Sequence, residues 1–294
     1  ERTLFIEGRN HTLLISDEPQ ALLEAKASGR AVLGCMSSGK TDEKATDSWE
    51  LKGIPYVVPS MEYVTDELVE LILRRHLGLP WLIDETERLV IREFVKEDAE
   101  KIPEEEYEKE EEIFRDPDKL EVYIKSQYGF YEYGIWAVLK KREGNVTAQE
   151  QSGQNAAVQE KFQQNEAGTA EEGILIGMAG VSNPDLPENA LQVLPSLPDG
   201  LYWLELGYHI FKHYRKNGYA KEAAKAIFSY SHEVLSARLC AWIEEKNKAS
   251  CALAESLGME VVKIISDQTS SGWPGVYRLY AEKTPQLPDK ETGS

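Results

Sequence analysis

A short basic turn is the part of the sequence best suited to do chemistry. It lies between an apolar run that predicts a strand and an amphipathic stretch that predicts a helix. A glycine in such a turn lets several backbone N–H groups point outward at the positive end of the helix dipole, which suits a pyrophosphate. So short a pattern is also common as a purely structural turn, and both interpretations stay open at this point. The candidate phosphate-binding residues are Arg215, Lys216, Asn217, Gly218, Tyr219 and Ala220.

The elements that must position this turn alternate between strands and helices. Apolar runs at period two predict the strands, and apolar residues at helical spacing predict the helices. The predicted strands are 88–94, 133–141, 174–182, 202–211, 238–244, 259–265 and 276–281, and the predicted helices are 118–127, 221–234 and 249–257.

The first 82 residues predict a smaller unit. Runs at 12–16, 18–28 and 31–36 have the order strand, helix, strand, which is typical of a parallel βαβ unit. A further strand at 54–58 and a helix at 65–76, with Thr65 as its N-cap, complete it. We therefore expect an α/β (α+β) chain with domains at 1–82 and 83–294.

Two segments carry too few large apolar side chains to fold alone. Residues 37–52 are polar and predict a loop. Residues 144–173 are rich in Gln, Glu, Ala, Asn and Gly, and they predict a mobile insertion.

Composition narrows the classes of partner. The net charge of -18 argues against nucleic acid and anionic membranes, and it would attract cationic amines, although many proteins are simply acidic. No apolar run approaches the roughly 20 residues that span a bilayer. Cys35, Cys240 and Cys251 show neither a disulfide framework nor metal-ligand spacing, which favours a cytoplasmic protein without a metal. The histidines at 209, 213 and 232 have no partnered ligand set for a metal. A second copy of the chain, in a homodimer, is a partner that the sequence leaves open.

Four sequence pieces in order carry a family resemblance over residues 87–282. They are Leu89-Val90-Ile91-Arg92, then Glu205-Leu206-Gly207-Tyr208, the turn at 215–220, and Asn247-Lys248-Ala249-Ser250 leading to Ser256-Leu257-Gly258-Met259. In this combination the chain resembles the GNAT superfamily of N-acetyltransferases, in particular the branch that acetylates ribosomal-protein N-termini. The resemblance implies a sheet that is mixed, largely antiparallel and splayed at the cofactor site.

The resemblance also implies roles for single residues. Acetyl-CoA would enter between the strands at 202–211 and 238–244, and its pantetheine arm would bond the backbone of Tyr208, His209 and Ile210. Asn247 would bond the same arm. The acceptor would be a small-molecule amine or a protein N-terminus.

Glu205 and Ser250 are the candidate catalytic residues. Glu205 would be the general base, directly or through a water, unless it only pairs with a cation on the sheet face. Ser250 would lie near the thioester sulfur as a proton donor, unless it only satisfies the helix backbone. Many relatives carry a tyrosine as the acid where this chain has Ala254, so the acid stays open. A protein that binds coenzyme A as a sensor, without turnover, is the alternative function.

Residues 12–81 resemble part of a haloacid-dehalogenase-like domain. The pieces are Leu14-Ile15-Ser16-Asp17 and the stretches at 25–29 and 31–34. Asp17 matches a metal-binding acid of that family, but the nucleophile motif D-x-D-x-T is absent. Because no phosphoaspartyl intermediate can form without the nucleophile, we expect a truncated, non-catalytic relative.

Overall fold

The structure is a computed structural model that describes residues 1–36, 53–106, 113–142, 173–267 and 275–283. These residues form two compact units, one within 1–81 and one made of 82–141 with the residues from 173 onward. The predicted loop at 37–52 lies outside the described ranges, as does the predicted insertion at 144–173 apart from its last residue.

The first unit is a four-stranded sheet with a helix on each face. The strands lie in the order β1-β2-β3-β4, with β1 and β2 antiparallel and the other neighbours parallel. Leu22 of the first helix packs with Val32, while Val69 and Leu73 of the second helix pack with Leu13 and Leu33. The elements are β1 (Arg2–Ile6), β2 (Arg9–Ser16), α1 (Pro19–Ala27), β3 (Ala31–Cys35), β4 (Val57–Val58) and α2 (Asp66–His76).

The β2-α1-β3 unit is parallel, as the sequence predicts, and Thr65 caps α2 by accepting a hydrogen bond from the backbone of Leu68 at 3.2 Å. The strand β1 was not predicted from the sequence. It joins β2 through Glu7 and Gly8, whose φ angles of 49° and 76° are those of a two-residue hairpin turn with both central residues left-handed. Glycine is common in such a turn and glutamate is not, so the sequence signal for this hairpin is weak.

The second unit is built on an eight-stranded mixed sheet. Its strand order is β11-β12-β10-β9-β8-β7-β6-β5, and every neighbouring pair is antiparallel except β9 and β10. The strands are β5 (Leu82–Glu85), β6 (Leu89–Arg92), β7 (Ile135–Lys140), β8 (Ile174–Ser182), β9 (Tyr202–Ile210), β10 (Ala237–Glu244), β11 (Glu260–Asp267) and β12 (Gly275–Ala281).

The helices of this unit connect and cover the sheet. The two long connections after β9 and β10 are helical, and Trp136 of β7 packs edge-on against Tyr230 with ring centroids 5.4 Å apart. The α-helices are α3 (Pro117–Tyr123), α4 (Gly129–Tyr131), α5 (Glu188–Leu191), α6 (Tyr219–Glu233) and α7 (Lys248–Ser256). A π-helical turn at Ile124–Tyr128 joins α3 to α4, and 3₁₀ turns lie at Lys96–Lys101, Glu104–Glu106 and Lys212–Tyr214.

The sheet opens between its two parallel strands. Pairing between β9 and β10 runs from Tyr202 with Ala237 to Glu205 with Cys240 and then stops, although both strands continue. Beyond that point β9 pairs only with β8, and β10 only with β12. The strands therefore part after Glu205 and leave an opening that narrows toward it. This confirms the splayed sheet expected from the sequence.

Candidate functional site

The opening between β9 and β10 contains the three residues whose backbone was predicted to bind a cofactor arm. Tyr208, His209 and Ile210 pair with β8 on one side, and no described strand pairs with their other side. Peptide groups on that side can therefore accept an extended ligand as an added strand.

The basic turn lies directly after β9 and ends where α6 begins. Gly218 is the N-cap of α6 and has a φ of 82°, and Lys216 also has a left-handed φ of 66°. No side chain among the described residues caps the first N–H groups of α6. Those groups are the kind of donor that an anion binds at a helix N-terminus. A Cβ on Gly218 would meet only the guanidinium of Arg88, at 3.5 Å, so the space in front of the turn is open.

Arg88 fixes this turn from the start of β6. Its Nη1 donates to the backbone oxygen of Asn217 at 3.0 Å, and its guanidinium lies 4.6 Å from the centre of the Tyr219 ring. Glu222, on the first turns of α6, accepts from Arg88 Nε at 2.7 Å and from the Thr86 hydroxyl at 2.6 Å. Burial acts to raise the pKa of Glu222, but these hydrogen bonds outweigh it and hold the pKa below its usual value. Arg88 was not predicted from the sequence, since its partners lie more than 120 residues away.

Glu106 anchors the other end of the same turn. Its Oε1 accepts from the backbone N–H of Lys212 at 2.7 Å, and its Oε2 lies 3.1 Å from His209 Nε2 and 3.6 Å from Arg215. Arg215 in turn donates through Nε to the oxygen of Ile210 at 2.7 Å. The Glu106 side chain is 2% exposed. Acidic runs such as 104–106 usually form solvated helix faces, but the side chain of Glu106 is buried.

Glu205 is the last β9 residue that pairs with β10. It is half-buried, its Oε2 accepts from the backbone N–H of Asp185 at 3.3 Å, and the backbone of Trp242 interacts with the same carboxylate. Burial raises the pKa of Glu205 to about 7, because these two amides only partly compensate for lost hydration and the charge of Asp185 opposes ionisation. A carboxyl group with this pKa can take up or release a proton near neutral pH.

The start of α7 lies across the opening from β9. Asn247 caps α7, and its Oδ1 accepts from the backbone N–H of Ser250 at 3.2 Å. The Tyr208 side chain reaches α7, where its hydroxyl interacts with Ser250 and lies near Cys251. Cys251 is buried, as expected of a core residue, and Ala254 is buried at the position where a tyrosine was considered.

The remaining candidates belong to other parts of the chain. Asp17 is exposed after β2 in the first unit, and His232 Nε2 lies 2.7 Å from Glu282 on the far side of β10. Within the described ranges, no group of three or more His, Cys, Asp or Glu side chains could hold a metal ion. No helix there is long and apolar enough to cross a membrane.

Solved structures and one curated relative resemble the chain. A putative GnaT-family acetyltransferase from Bordetella pertussis is 17% identical over 69% of this chain and 99% of that one, with a TM-score of 0.44. A ribosomal L7/L12 alpha-N-protein acetyltransferase, RimL, solved with coenzyme A, is 12% identical over 69% and 98%, with a TM-score of 0.42. The uncharacterized protein YkkB of Bacillus subtilis (strain 168) is 35% identical over 74 residues, which are 25% of this chain and 43% of that protein. The chain thus spans less than half the length of that relative.

The family itself is shown by a longer match. The sequence profile described as "Acetyltransferase (GNAT) domain" matches residues 88–260, which is more than half of the chain and includes the opening, the basic turn and α7. The chain therefore belongs to the GNAT family of acetyltransferases.

Proposed function

We propose that this protein transfers an acetyl group from acetyl-CoA to a primary amine by direct attack, with both substrates bound at once. The observation that carries the proposal is the place of Glu205. A carboxyl group whose pKa is about 7 lies where the two parallel strands part, and this is the point an added strand would reach. General bases work best when their pKa is near the working pH.

The basic turn and the open edge of β9 support the placement of acetyl-CoA. Its pyrophosphate fits the amides of the turn at 215–220, and its pantetheine arm fits the backbone of Tyr208–Ile210. Among the described residues, the helix N-terminus has no side-chain cap and the strand edge has no strand partner, and these are the groups that would pair with acetyl-CoA. The acetyl end of an arm bound in this way points toward Glu205.

The reaction needs one proton removed and one supplied. The nitrogen of the neutral amine bonds to the acetyl carbon, and Glu205 accepts the proton that the nitrogen loses, directly or through a water. The carbon–sulfur bond then breaks, and the thiolate of coenzyme A takes up a proton. Ser250, at the start of α7, is a candidate donor for that last proton. No bond to the enzyme forms, which agrees with the burial of Cys251.

The acceptor is an amine of either of two kinds, a small molecule or a polypeptide N-terminus. The net charge of -18 favours approach of a cationic substrate in both cases. A panel of polyamines, amino sugars, amino acids and short peptides, assayed by thiol release, would identify the class.

Replacing Glu205 with Gln tests the mechanism, because Gln keeps the shape but cannot take a proton. We expect turnover to fall about 10² to 10⁴-fold, with little change in acetyl-CoA affinity. The wild-type rate should also fall as pH drops below about 7, where Glu205 is protonated, and the variant should lack this dependence.

Glu282→Gln is the matched control. Glu282 is also a well-shielded carboxylate of this sheet, but it pairs with His232 and Arg238 away from the opening. Normal turnover of Glu205→Gln would leave attack by an already neutral amine as the better mechanism. Tight acetyl-CoA binding by a wild type that acetylates no amine would favour the sensor.

For the first unit we propose a non-catalytic role in structure, substrate shaping or dimerisation, as the truncated haloacid-dehalogenase-like domain considered above. The exposed position of Asp17 after a parallel strand is compatible with that resemblance, and the missing nucleophile argues against turnover. The three cysteines are free and buried, which is compatible with a reducing cytoplasm.

A further inference from the structure

The Tyr208 hydroxyl is a buried polar group with no hydrogen bond of ordinary geometry to the described residues. Such a group is unusual in a native protein and calls for an explanation. Its position supplies one, because Tyr208 lies on the stretch of β9 that has parted from β10.

The Tyr208 side chain connects the parted stretch of β9 to the start of α7, next to the proposed path of the pantetheine arm. The tyrosine starts on β9, and its hydroxyl lies beside Ser250 and near Cys251 on α7. Successive residues of a strand point to opposite faces, so Tyr208 and Glu205, three residues apart, project to opposite sides of β9. A thioester held between these two side chains would have Glu205 on one face, where it can accept the proton of the attacking amine. It would have the Tyr208 hydroxyl on the other face, where it can donate a proton to the departing sulfur.

We propose that the Tyr208 hydroxyl is the proton donor to the departing thiolate of coenzyme A. Ala254, at the position where a tyrosine was considered as the general acid, has no proton to donate. This inference rests on the proposed acetyl transfer. As the carbon–sulfur bond breaks, the sulfur takes the Tyr208 proton, and Tyr208 regains a proton from solvent by way of Ser250. The amine proton taken by Glu205 returns to solvent, so the net products are an amide and a free thiol.

Burial keeps the phenol protonated, as a donor must be. It raises the pKa of Tyr208, and the interaction with Ser250 offsets only part of that rise. The thioester sulfur would give the hydroxyl a hydrogen-bond partner of ordinary geometry, which the described residues do not supply.

Tyr208→Phe tests the proposal, because it removes the hydroxyl and keeps the ring and the backbone. We expect kcat with acetyl-CoA to fall about 10² to 10⁴-fold. The dissociation constant of acetyl-CoA, measured by calorimetry, should change less than threefold. The melting temperature should change little, because the hydroxyl has no hydrogen bond of ordinary geometry to lose and only its interaction with Ser250 disappears.

Tyr280→Phe is the matched control. Tyr280, on β12, is also buried and also near Cys251, but its hydroxyl is already bonded to Glu255 at 3.0 Å. We expect that variant to lose stability and to keep its kcat within about threefold.

The outcomes separate this proposal from the proposed function. An active wild type and a Tyr208→Phe variant with normal kcat would overturn the proton-donor role alone, and a large loss in Ser250→Ala would then assign the proton to Ser250. A Tyr208→Phe variant that loses activity together with stability or acetyl-CoA affinity would make the residue structural and would also overturn the proposal. A wild type that acetylates no amine would remove the proposed function and this inference with it.

Discussion

Glu205 affects both the proposed reaction and the stability of the fold. Its pKa of about 7 in the folded protein lies above its ordinary value of 4.5. The folded state therefore holds this proton more tightly than the unfolded chain does. The contribution of Glu205 to stability is largest at low pH and is lost as pH rises from about 4.5 to about 7. The loss amounts to at most about 3 kcal/mol, at 1.36 kcal/mol for each unit of pKa.

We therefore predict that Glu205→Gln gains stability relative to wild type as pH rises. Gln has no charge to bury, so the difference in the free energy of unfolding should shift in favour of the variant by about 1–3 kcal/mol between pH 5 and pH 8. Urea unfolding of both proteins at the two pH values measures it, with Glu282→Gln as the reference. A difference that does not depend on pH would mean that Glu205 ionises as an ordinary exposed glutamate.

The sequence located some single residues of the site better than others. Thr65 was predicted as the N-cap of a helix, and it caps α2 through its side-chain oxygen. Asn247, which was predicted to bond the cofactor arm, caps α7 in the same way. These contacts span only a few residues, so local patterns reveal them. Glu106 and the hydroxyl of Tyr208 were missed, because burial of a glutamate and the environment of a phenol depend on distant parts of the chain.

At the scale of elements, the turn at 215–220 depends on a glycine. Gly218 has a φ of 82°, which a residue with a Cβ adopts only with strain of about 1–2 kcal/mol. Gly258, after α7, has nearly the same φ of 84° and open space around the position of a Cβ. Gly218 and Gly258 therefore have nearly the same backbone conformation, but only Gly218 lies in the proposed pyrophosphate site.

We predict that Gly218→Val weakens acetyl-CoA binding tenfold or more, about 1.4 kcal/mol, because a β-branched side chain would hold the pyrophosphate away from the backbone. Gly258→Val should lose a similar amount of stability and keep its affinity. Calorimetric titration of both variants with acetyl-CoA makes the comparison. Equal affinities in the two folded variants would remove the turn from the binding site.

Most elements of the second unit follow from local pattern. The strands predicted at 174–182 and 202–211 and the helix at 221–234 lie within two residues of the observed bounds. The strand β5 was missed, because it is four residues long and pairs only with β6 at the edge of the sheet. The helix predicted at 118–127 passes into a π-helical turn at Ile124, a change of hydrogen bonding that apolar spacing does not reveal.

At the scale of the whole molecule, the two units differ in the chemistry they carry. The second contains the opening, the turn and Glu205, and the first offers Asp17 without a nucleophile. We predict that the full chain hydrolyses no generic phosphomonoester at any magnesium concentration. A colorimetric phosphatase assay checks this. Magnesium-dependent turnover that Asp17→Asn abolishes would show that the first unit is an active phosphatase.

The parting of β9 and β10 also has a consequence for the dynamics of the sheet. Amides that face the opening have no strand partner there, so their hydrogens should exchange with deuterium faster than those between β8 and β9. Acetyl-CoA, bound as an added strand, would protect them. We predict slower exchange on adding acetyl-CoA in the peptides that contain 206–210 and 241–244, and little change in β1–β3. The sheet of this enzyme would then be continuous only while it holds its substrate.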